Sequence, residues 1–281
     1  MNYMNALFSA VAYLLCKKIR AGSAKGPDLQ RILTSGLFSQ HNPFFVFKDR
    51  SKEQRVSLKL SSSDWLAWQI IDSAFPAGSF AHSAGLEAAW QNGRVRTEKE
   101  LLAFTETSLE QAEFGQLPFV VCARNEPGTF SQLDRLCDAF LSNHVANRAS
   151  RRQGATLLAT CETVYQDSKL TELRTSISEN NLAGHLPPVF GLISNILNIE
   201  GQTALRIYLY CLIRGILSSA VRLGGTGPLQ AQIIQRKVSP LAEDIAGRSL
   251  ELGLDDLAQT APLIETLQAN QDRLYSRLFQ S

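Results

Sequence analysis

The chain has 281 residues, of which 44% are hydrophobic and 19% charged, an ordinary composition for a globular protein with one large domain or two small ones. The net charge of +2 conceals an asymmetry: residues 1–60 carry ten Lys or Arg against three Asp or Glu, and the remaining residues carry 18 against 23, a balance of −5. Because the body has no basic stripe with interleaved aromatics, nucleic-acid binding is not expected. Five scattered cysteines without a CxxC motif favour free thiols in a reducing compartment, and hence a cytoplasmic protein.

The N-terminal segment begins with an apolar run at residues 6–16, followed by Lys17, Lys18 and Arg20. This run is too short to span a bilayer, and no basic region precedes it as in a signal peptide. Its low acidic content leaves an organelle transit peptide open. We expect residues 1–60 to form a basic, disordered extension, and residues 61–281 to form a single all-α domain.

Helix-start signals recur through that body. Ser61 with Asp64, and Thr97 with Glu100, have the spacing of capping boxes that open helices at Trp65 and after Thr97. Ser131 with Asp134 predicts a third helix, whose apolar stripe runs through Val145 and includes His144 as a packing residue. Two further starts are predicted at Ser239-Pro240 and at Pro262, the last with Ile264, Leu267, Leu274 and Leu278 on one face.

Residues 202–223 differ from these segments because apolar side chains surround the predicted helix on all sides. Such a helix is typical of the centre of a bundle. Its length would permit a membrane span, but Arg206, Arg214 and Arg222 recur every eight residues, and a charge at mid-bilayer costs several kcal/mol. Since no segment alternates with period two, the predicted fold is all-α: a compact multi-helix bundle around a central buried helix at about 202–223.

The most distinctive stretch, Asp72 to Glu87, contains two glycines and a proline between two helices. It predicts a rigid turn, with Ser79 or His82 capping a helix that begins near Ser83. A phosphate loop is excluded because no GK[ST] follows the glycines. The segment AHSAG approximates a nucleophile elbow, which makes a serine hydrolase using Ser83 the alternative function, but the elbow requires a strand that the sequence does not offer.

No metal site, cofactor site or catalytic residue is predicted. The histidines are His41, His82, His144 and His185, and none is paired with another His or a Cys at ligand spacing. His82 is the one candidate ligand, and any site would have to be assembled from distant positions.

The Asp72–Glu87 segment resembles the signature turn of the UreF family of urease accessory proteins. Three further segments resemble family motifs in the same order: SRRQG at 150–154, GHLPPVFG at 184–191, and VRLG at 221–224 with the trailing QAQ at 230–232. The resemblance covers about residues 64–250 and does not extend to residues 1–60.

This resemblance implies an all-α, non-catalytic adaptor that forms a homodimer. It implies binding to a UreD/UreH-type protein and to the nickel GTPase UreG before docking on apo-urease, with nickel handled by the partners and the GTPase modulated. Neither nucleic acid nor membrane is an expected partner.

The resemblance also marks the residues expected to shape the signature turn or to contact partners. Arg151 and Arg152 are the candidates for contacts with the GTPase, although a solvated charged pair is the alternative. Arg222 is expected either to hydrogen-bond terminal carbonyls or to face a partner. The full set is Pro76, Gly78, Phe80, His82, Ser83, Gly85, Glu87, Arg151, Arg152, Gln153, Gly154, Arg222 and Gly224.

Overall fold

The computed structural model describes residues 62–281, with side chains from Asp64 onward. The described part of the chain is all-α, as predicted, and contains no β-strand. The expectations for residues 1–60 lie outside the described residues. In chain order the helices are α1 (Ser62–Ile71), α2 (Leu86–Gln91), α3 (Glu98–Gly115), α4 (Leu117–Asn125), α5 (Phe130–Phe140), α6 (His144–Tyr165), α7 (Ser168–Glu179), α8 (Leu186–Ile196), α9 (Gly201–Arg222), α10 (Pro228–Arg248) and α11 (Pro262–Ala269).

Helix α9 is the central helix predicted at 202–223. It packs against α10, α3, α1 and α2, and its Leu205, Leu209 and Ile216 are almost fully buried. The apolar helix α8 packs mainly against α4 and α6 and also contacts α9. Among the described helices, α9 alone is long and apolar enough to cross a bilayer, but 56% of its most apolar window is buried inside the protein, as in the core helix of a bundle.

Several helix starts follow the sequence signals closely. At α3, Thr97 Oγ1 accepts a hydrogen bond from the backbone N–H of Glu100, and the Glu100 carboxylate accepts one from the N–H of Thr97. This reciprocal capping box confirms the prediction. Pro262 opens α11 as predicted. The start of α9 uses a cap that the sequence analysis missed, the Glu200 carboxylate, which accepts from Gln202 N and Thr203 N.

The third predicted helix was wrong in its start and in its length. Helix α5 begins at Phe130, ahead of the proposed Ser131 cap, and ends at Phe140. A new helix, α6, begins at His144 because the side chain of Asn143 caps it. His144 therefore lies at an exposed helix start beside Asp272, not on an apolar stripe. Asp134 is not a cap either, because its carboxylate binds a distant loop.

Two other boundaries differ from the sequence prediction. Ser239-Pro240 lies inside α10, where Ser239 Oγ donates to the carbonyl of Gln235. Because twelve residues of α10 precede Pro240, the proline lies inside this helix and does not start a new one. Helix α11 ends at Ala269, and residues 270–281 form a short 3-10 turn and an irregular C-terminal tail. Leu274 and Leu278 are therefore not on its apolar stripe.

Candidate functional site

The signature turn, residues 72–87, is built on backbone conformations that favour glycine. Gly78 and Gly85 have φ values of +79° and +86°. The helix after the turn begins at Leu86, with Gly85 as its cap residue and no side-chain cap, which corrects the predicted start near Ser83. A Cβ on Gly78 would lie 3.1 Å from Cβ of Thr156, so α6 also restricts this position.

The C-terminal tail, residues 270–281, docks on this turn through the buried carboxylate of Glu87. That carboxylate accepts hydrogen bonds from the backbone N–H of Leu278 (2.6 Å) and of Phe279 (3.1 Å), and from Nε2 of Gln271 (2.5 Å). Glu87 is 1% exposed, and charge-assisted hydrogen bonds are the strong class in a buried setting. These three hydrogen bonds compensate the buried carboxylate of Glu87, and they hold the tail in place.

The end of the tail runs beside the turn. Gln280 N donates to the carbonyl of Ala81 (2.8 Å), and the carbonyl of Ser281 accepts from Ser83 N (2.6 Å) and Ser83 Oγ (3.0 Å). His82 Nδ1 and Ser281 Oγ share a hydrogen bond of 2.5 Å. Burial, reinforced by Arg152 and Arg148, lowers the pKa of His82 to about 4, so His82 is neutral near pH 7.

An arginine joins the turn to the tail on the outer side. The guanidinium of Arg222, at the end of α9, lies 3.9 Å from the ring centre of Phe80 and 4.3 Å from that of Phe279. It also donates to the Phe80 carbonyl at 2.5 Å. Phe279 is buried by this stacking, whereas Phe80 remains 69% exposed. Arg222 therefore fixes an aromatic side chain that faces solvent.

Helix α6 supports the tail with two further arginines. Arg148 makes a two-pronged ion pair with the carboxylate of Asp272, and Arg152 donates to Oε1 of Gln280 at 2.8 Å. The hydrogen bond from Arg148 holds the pKa of Asp272 below its usual range. Both Arg151 and Arg152 are exposed, but Arg152 also makes this intramolecular contact.

The other face of α6 packs against the GHLPP segment. A Cβ on Gly154 would lie 2.1 Å from the carbonyl oxygen of Gly184, so only glycine allows this approach. Ser150 Oγ accepts from Leu186 N at 3.1 Å. The buried carboxylate of Asp134 accepts three hydrogen bonds, from the backbone N–H groups of Ala183, Gly184 and His185.

His185 completes this second cluster. It is fully buried, and its Nε2 is hydrogen-bonded to Asp138 at 3.0 Å. Hydrogen bonds from Asn147 and then from His185 lower the pKa of Asp138. The role of this cluster is to connect α5, α6 and the loop before α8.

The structure brings most of the predicted site residues together around α6. Gly78, Phe80, His82, Ser83, Gly85, Glu87, Arg152 and Arg222 contact the tail or the elements that hold it, and Pro76 accepts from Thr160 of α6. Arg151 and Gln153 make no hydrogen bond to the described residues. Gly224, with φ of +71°, is the turn residue that follows α9.

The burial and the hydrogen bonds of Ser83 do not fit a catalytic nucleophile. Its side chain is fully buried, its hydroxyl donates to the tail, and no strand precedes it in residues 62–281. His82 binds Ser281, not Ser83. Within the same residues no group of three or more His, Cys, Asp or Glu side chains could hold a metal ion. The four described cysteines are free, and burial raises the pKa of Cys137 and Cys161.

Sequence reasoning missed the tail residues and Asp134. The tail carried no signal of its own, because its apolar residues also fitted the apolar face of a longer α11. Asp134 did carry one, since it lies four residues after Phe130 and three before Cys137, on the apolar face of α5. A carboxylate there must find buried partners.

Comparison with known proteins assigns the family. A family profile described as UreF matches residues 95–239. The chain is 37% identical over 219 residues to urease accessory protein F of Oryza sativa, covering 76% of this chain and 84% of the relative. It is 33% identical over 238 residues to urease accessory protein F of Arabidopsis thaliana, covering 83% and 99%. A Trichodesmium erythraeum protein named urease accessory protein UreF is 29% identical over 218 residues, covering 75% and 94%. With an all-α fold, four motifs in family order and relatives of this similarity, the chain belongs to the UreF family of urease accessory proteins.

Proposed function

We propose that this protein is a non-catalytic cytoplasmic adaptor in nickel insertion into apo-urease. In this proposal it forms a homodimer and binds a UreD/UreH-type protein and a UreG-type GTPase. The names of its relatives, all urease accessory proteins, support the general role. The partners follow from the family resemblance of the four sequence motifs.

One observation carries the proposal: the signature turn uses its polar groups internally and displays its aromatic group. His82, Ser83 and Glu87 all bind the tail, whereas Phe80 is exposed and held by Arg222. The tail adds the exposed side chains of Tyr275 and Leu278. We call Phe80, Tyr275 and Leu278 the turn–tail surface. Fixed aromatic side chains lose little conformational entropy on binding and dominate many interfaces.

This surface is suited to a protein partner rather than to a reaction. A partner that binds the ordered tail better than the detached tail shifts the equilibrium between them only by that difference in affinity. A first partner that favours the ordered tail would thus raise the fraction of molecules in which the turn–tail surface is formed, and a second partner would bind that surface. Modulation of the GTPase follows if the adaptor binds its GTP-loaded form more tightly than its GDP-loaded form.

A binding experiment with the full chain tests the proposal. Phe80→Ser should weaken capture of the UreG-type GTPase or the UreD/UreH-type protein by roughly thirtyfold, the effect of losing an interface residue worth about 2 kcal/mol. Leu229→Ser is the matched control, since Leu229 is 83% exposed on α10 and remote in sequence from the turn and the tail. Wild-type capture by both Phe80→Ser and Leu278→Ser would contradict the proposed surface.

A cellular experiment tests the role itself. Loss of the protein should abolish urease activation while leaving the amount of urease protein unchanged. Excess nickel should restore part of the activity, because delivery is lost and the urease site is intact. If neither partner binds the wild-type chain, the adaptor function is refuted.

A further inference from the structure

A cavity of about 180 Å³ lies behind the signature turn. Its walls come from the turn (Ser79, His82), α6 (Ala146, Gln153), α9 (Gly215) and the tail (Ser281). A single water needs about 10–15 Å³ of such volume, so the cavity has room for a molecule of several heavy atoms.

Four carboxamide side chains, those of Gln111, Gln116, Gln153 and Gln268, line this cavity. The Gln116 oxygen accepts from the Tyr208 hydroxyl, and the Gln111 oxygen accepts from Ala261 N. Their NH₂ groups, and the whole Gln153 amide, make no hydrogen bond to the residues that the structure describes. The cavity therefore offers N–H donors that lack a protein acceptor.

The lining is mainly apolar with a few polar groups, and it carries little charge. Burial lowers the pKa of His82 to about 4 and raises the pKa of the Cys211 thiol, so both groups are neutral near pH 7. Glu265 is the one lining side chain with a formal charge, and its carboxylate accepts from Asn143 at 3.3 Å. Transfer of an unpaired ion into such a site is costly, which favours a neutral occupant.

Gly215 gives an independent reason to regard the space as functional. It lies in the middle of α9, where glycine costs about 1 kcal/mol relative to alanine. A Cβ at this position would meet no described atom within 4 Å. Packing against the described residues therefore does not require glycine here, and the missing side chain enlarges the cavity.

We propose that this cavity binds a small, uncharged molecule with a carbonyl oxygen, of the amide class, which accepts hydrogen bonds from the glutamine side chains. Its own N–H groups would reach the hydroxyl oxygens of Ser79 and Ser108 in the same lining. This site is additional to the adaptor function and does not depend on it.

Three isosteric probes of different charge test the proposal on the full chain. Saturation-transfer NMR suits the weak affinity, about millimolar, expected for a ligand of four heavy atoms. Acetamide should receive saturation from the protein, whereas acetate and acetamidinium should not. Absence of transfer to acetamide would overturn the proposal and leave a cavity that holds only water. Equal transfer to all three probes would also overturn it.

Two variants locate the binding. Gly215→Leu should abolish the acetamide signal by filling the cavity, while Gly247→Leu, at an exposed helical glycine with equal space, should keep it. Gln153→Met removes one amide without breaking a described hydrogen bond and should weaken acetamide binding about tenfold. If Gly215→Leu does not fold, Gln153→Met decides, and unchanged affinity in that variant would reject the site. Partner capture by either variant is measured separately, so failure here leaves the adaptor function standing.

Discussion

The imidazole Nδ1 of His82 and the hydroxyl of Ser281 lie 2.5 Å apart, although 199 positions separate them in the sequence. This pair connects the signature turn to the last residue of the chain. Both groups are more than 90% buried. The turn and the tail therefore form one structural unit, and conditions that change His82 should change the docking of the tail.

Acidification should destabilise the protein through His82. Its pKa is about 4 in the folded state and about 6.5 when unfolded, so only the unfolded chain binds the proton between these values. The contribution of neutral His82 is fully present above about pH 6.5 and is lost as the pH falls to about 4. The slope from this group is at most about 1.4 kcal/mol per pH unit. Urea unfolding from pH 7.5 to 4.5 measures it.

His82→Gln provides the control, because glutamine does not titrate. Its stability should fall less steeply with acid than that of the wild type across this window. Parallel curves for the two proteins would show that His82 does not carry the pH dependence.

Removing the charge of Glu87 should release the tail. Glu87→Gln replaces one of two accepting oxygens by an NH₂ group, which then opposes either the N–H of Leu278 or the donors of Phe279 and Gln271. We expect a loss of about 2–3 kcal/mol in the free energy of unfolding, since hydrogen bonds to charged groups are worth about that much. Hydrogen exchange at residues 278–281 should accelerate. Glu179→Gln, on an exposed side chain, should change neither quantity.

Two helical glycines should respond oppositely to alanine. Gly154→Ala places a methyl group 2.1 Å from the Gly184 carbonyl and should cost about 2 kcal/mol or more through overpacking. Gly247→Ala meets no atom within 4 Å and should stabilise the protein by about 0.5–1 kcal/mol through helix propensity. Thermal unfolding of both variants checks the contrast. A neutral Gly154→Ala would mean that α6 and the GHLPP segment separate easily.

The two arginines of the SRRQG motif should have separable roles. Both side chains are exposed, but Arg152 donates to Gln280, whereas Arg151 makes no hydrogen bond to the described residues. Arg151→Glu together with Arg152→Glu should weaken GTPase binding with helicity unchanged, because charge reversal is costly at an interface and cheap on a solvated surface. Arg152→Glu alone should also loosen the tail, as measured by hydrogen exchange. Wild-type GTPase affinity in the folded double variant would reject the contact.

The sequence by itself determined the fold class, the central helix and the residues of the signature turn, but not the residues of the tail that binds it. These features depend on local signals. A 3.6-residue apolar period, the capping box at Thr97 and Glu100, and prolines at the first turn of a helix act within a few positions of the chain. The motif residues were found for the same reason, because each motif is contiguous.

Only the tertiary structure decided what those motif residues bind. The partners of Glu87 lie more than 180 positions away, and those of Asp134 about 50 positions away. The tail showed no sequence signal because Leu274 and Leu278 also fit the apolar stripe of a longer α11. A buried carboxylate must find hydrogen-bond donors, but any backbone N–H satisfies that need. Burial and long-range hydrogen bonds therefore selected the irregular tail, where local periodicity had favoured a longer helix.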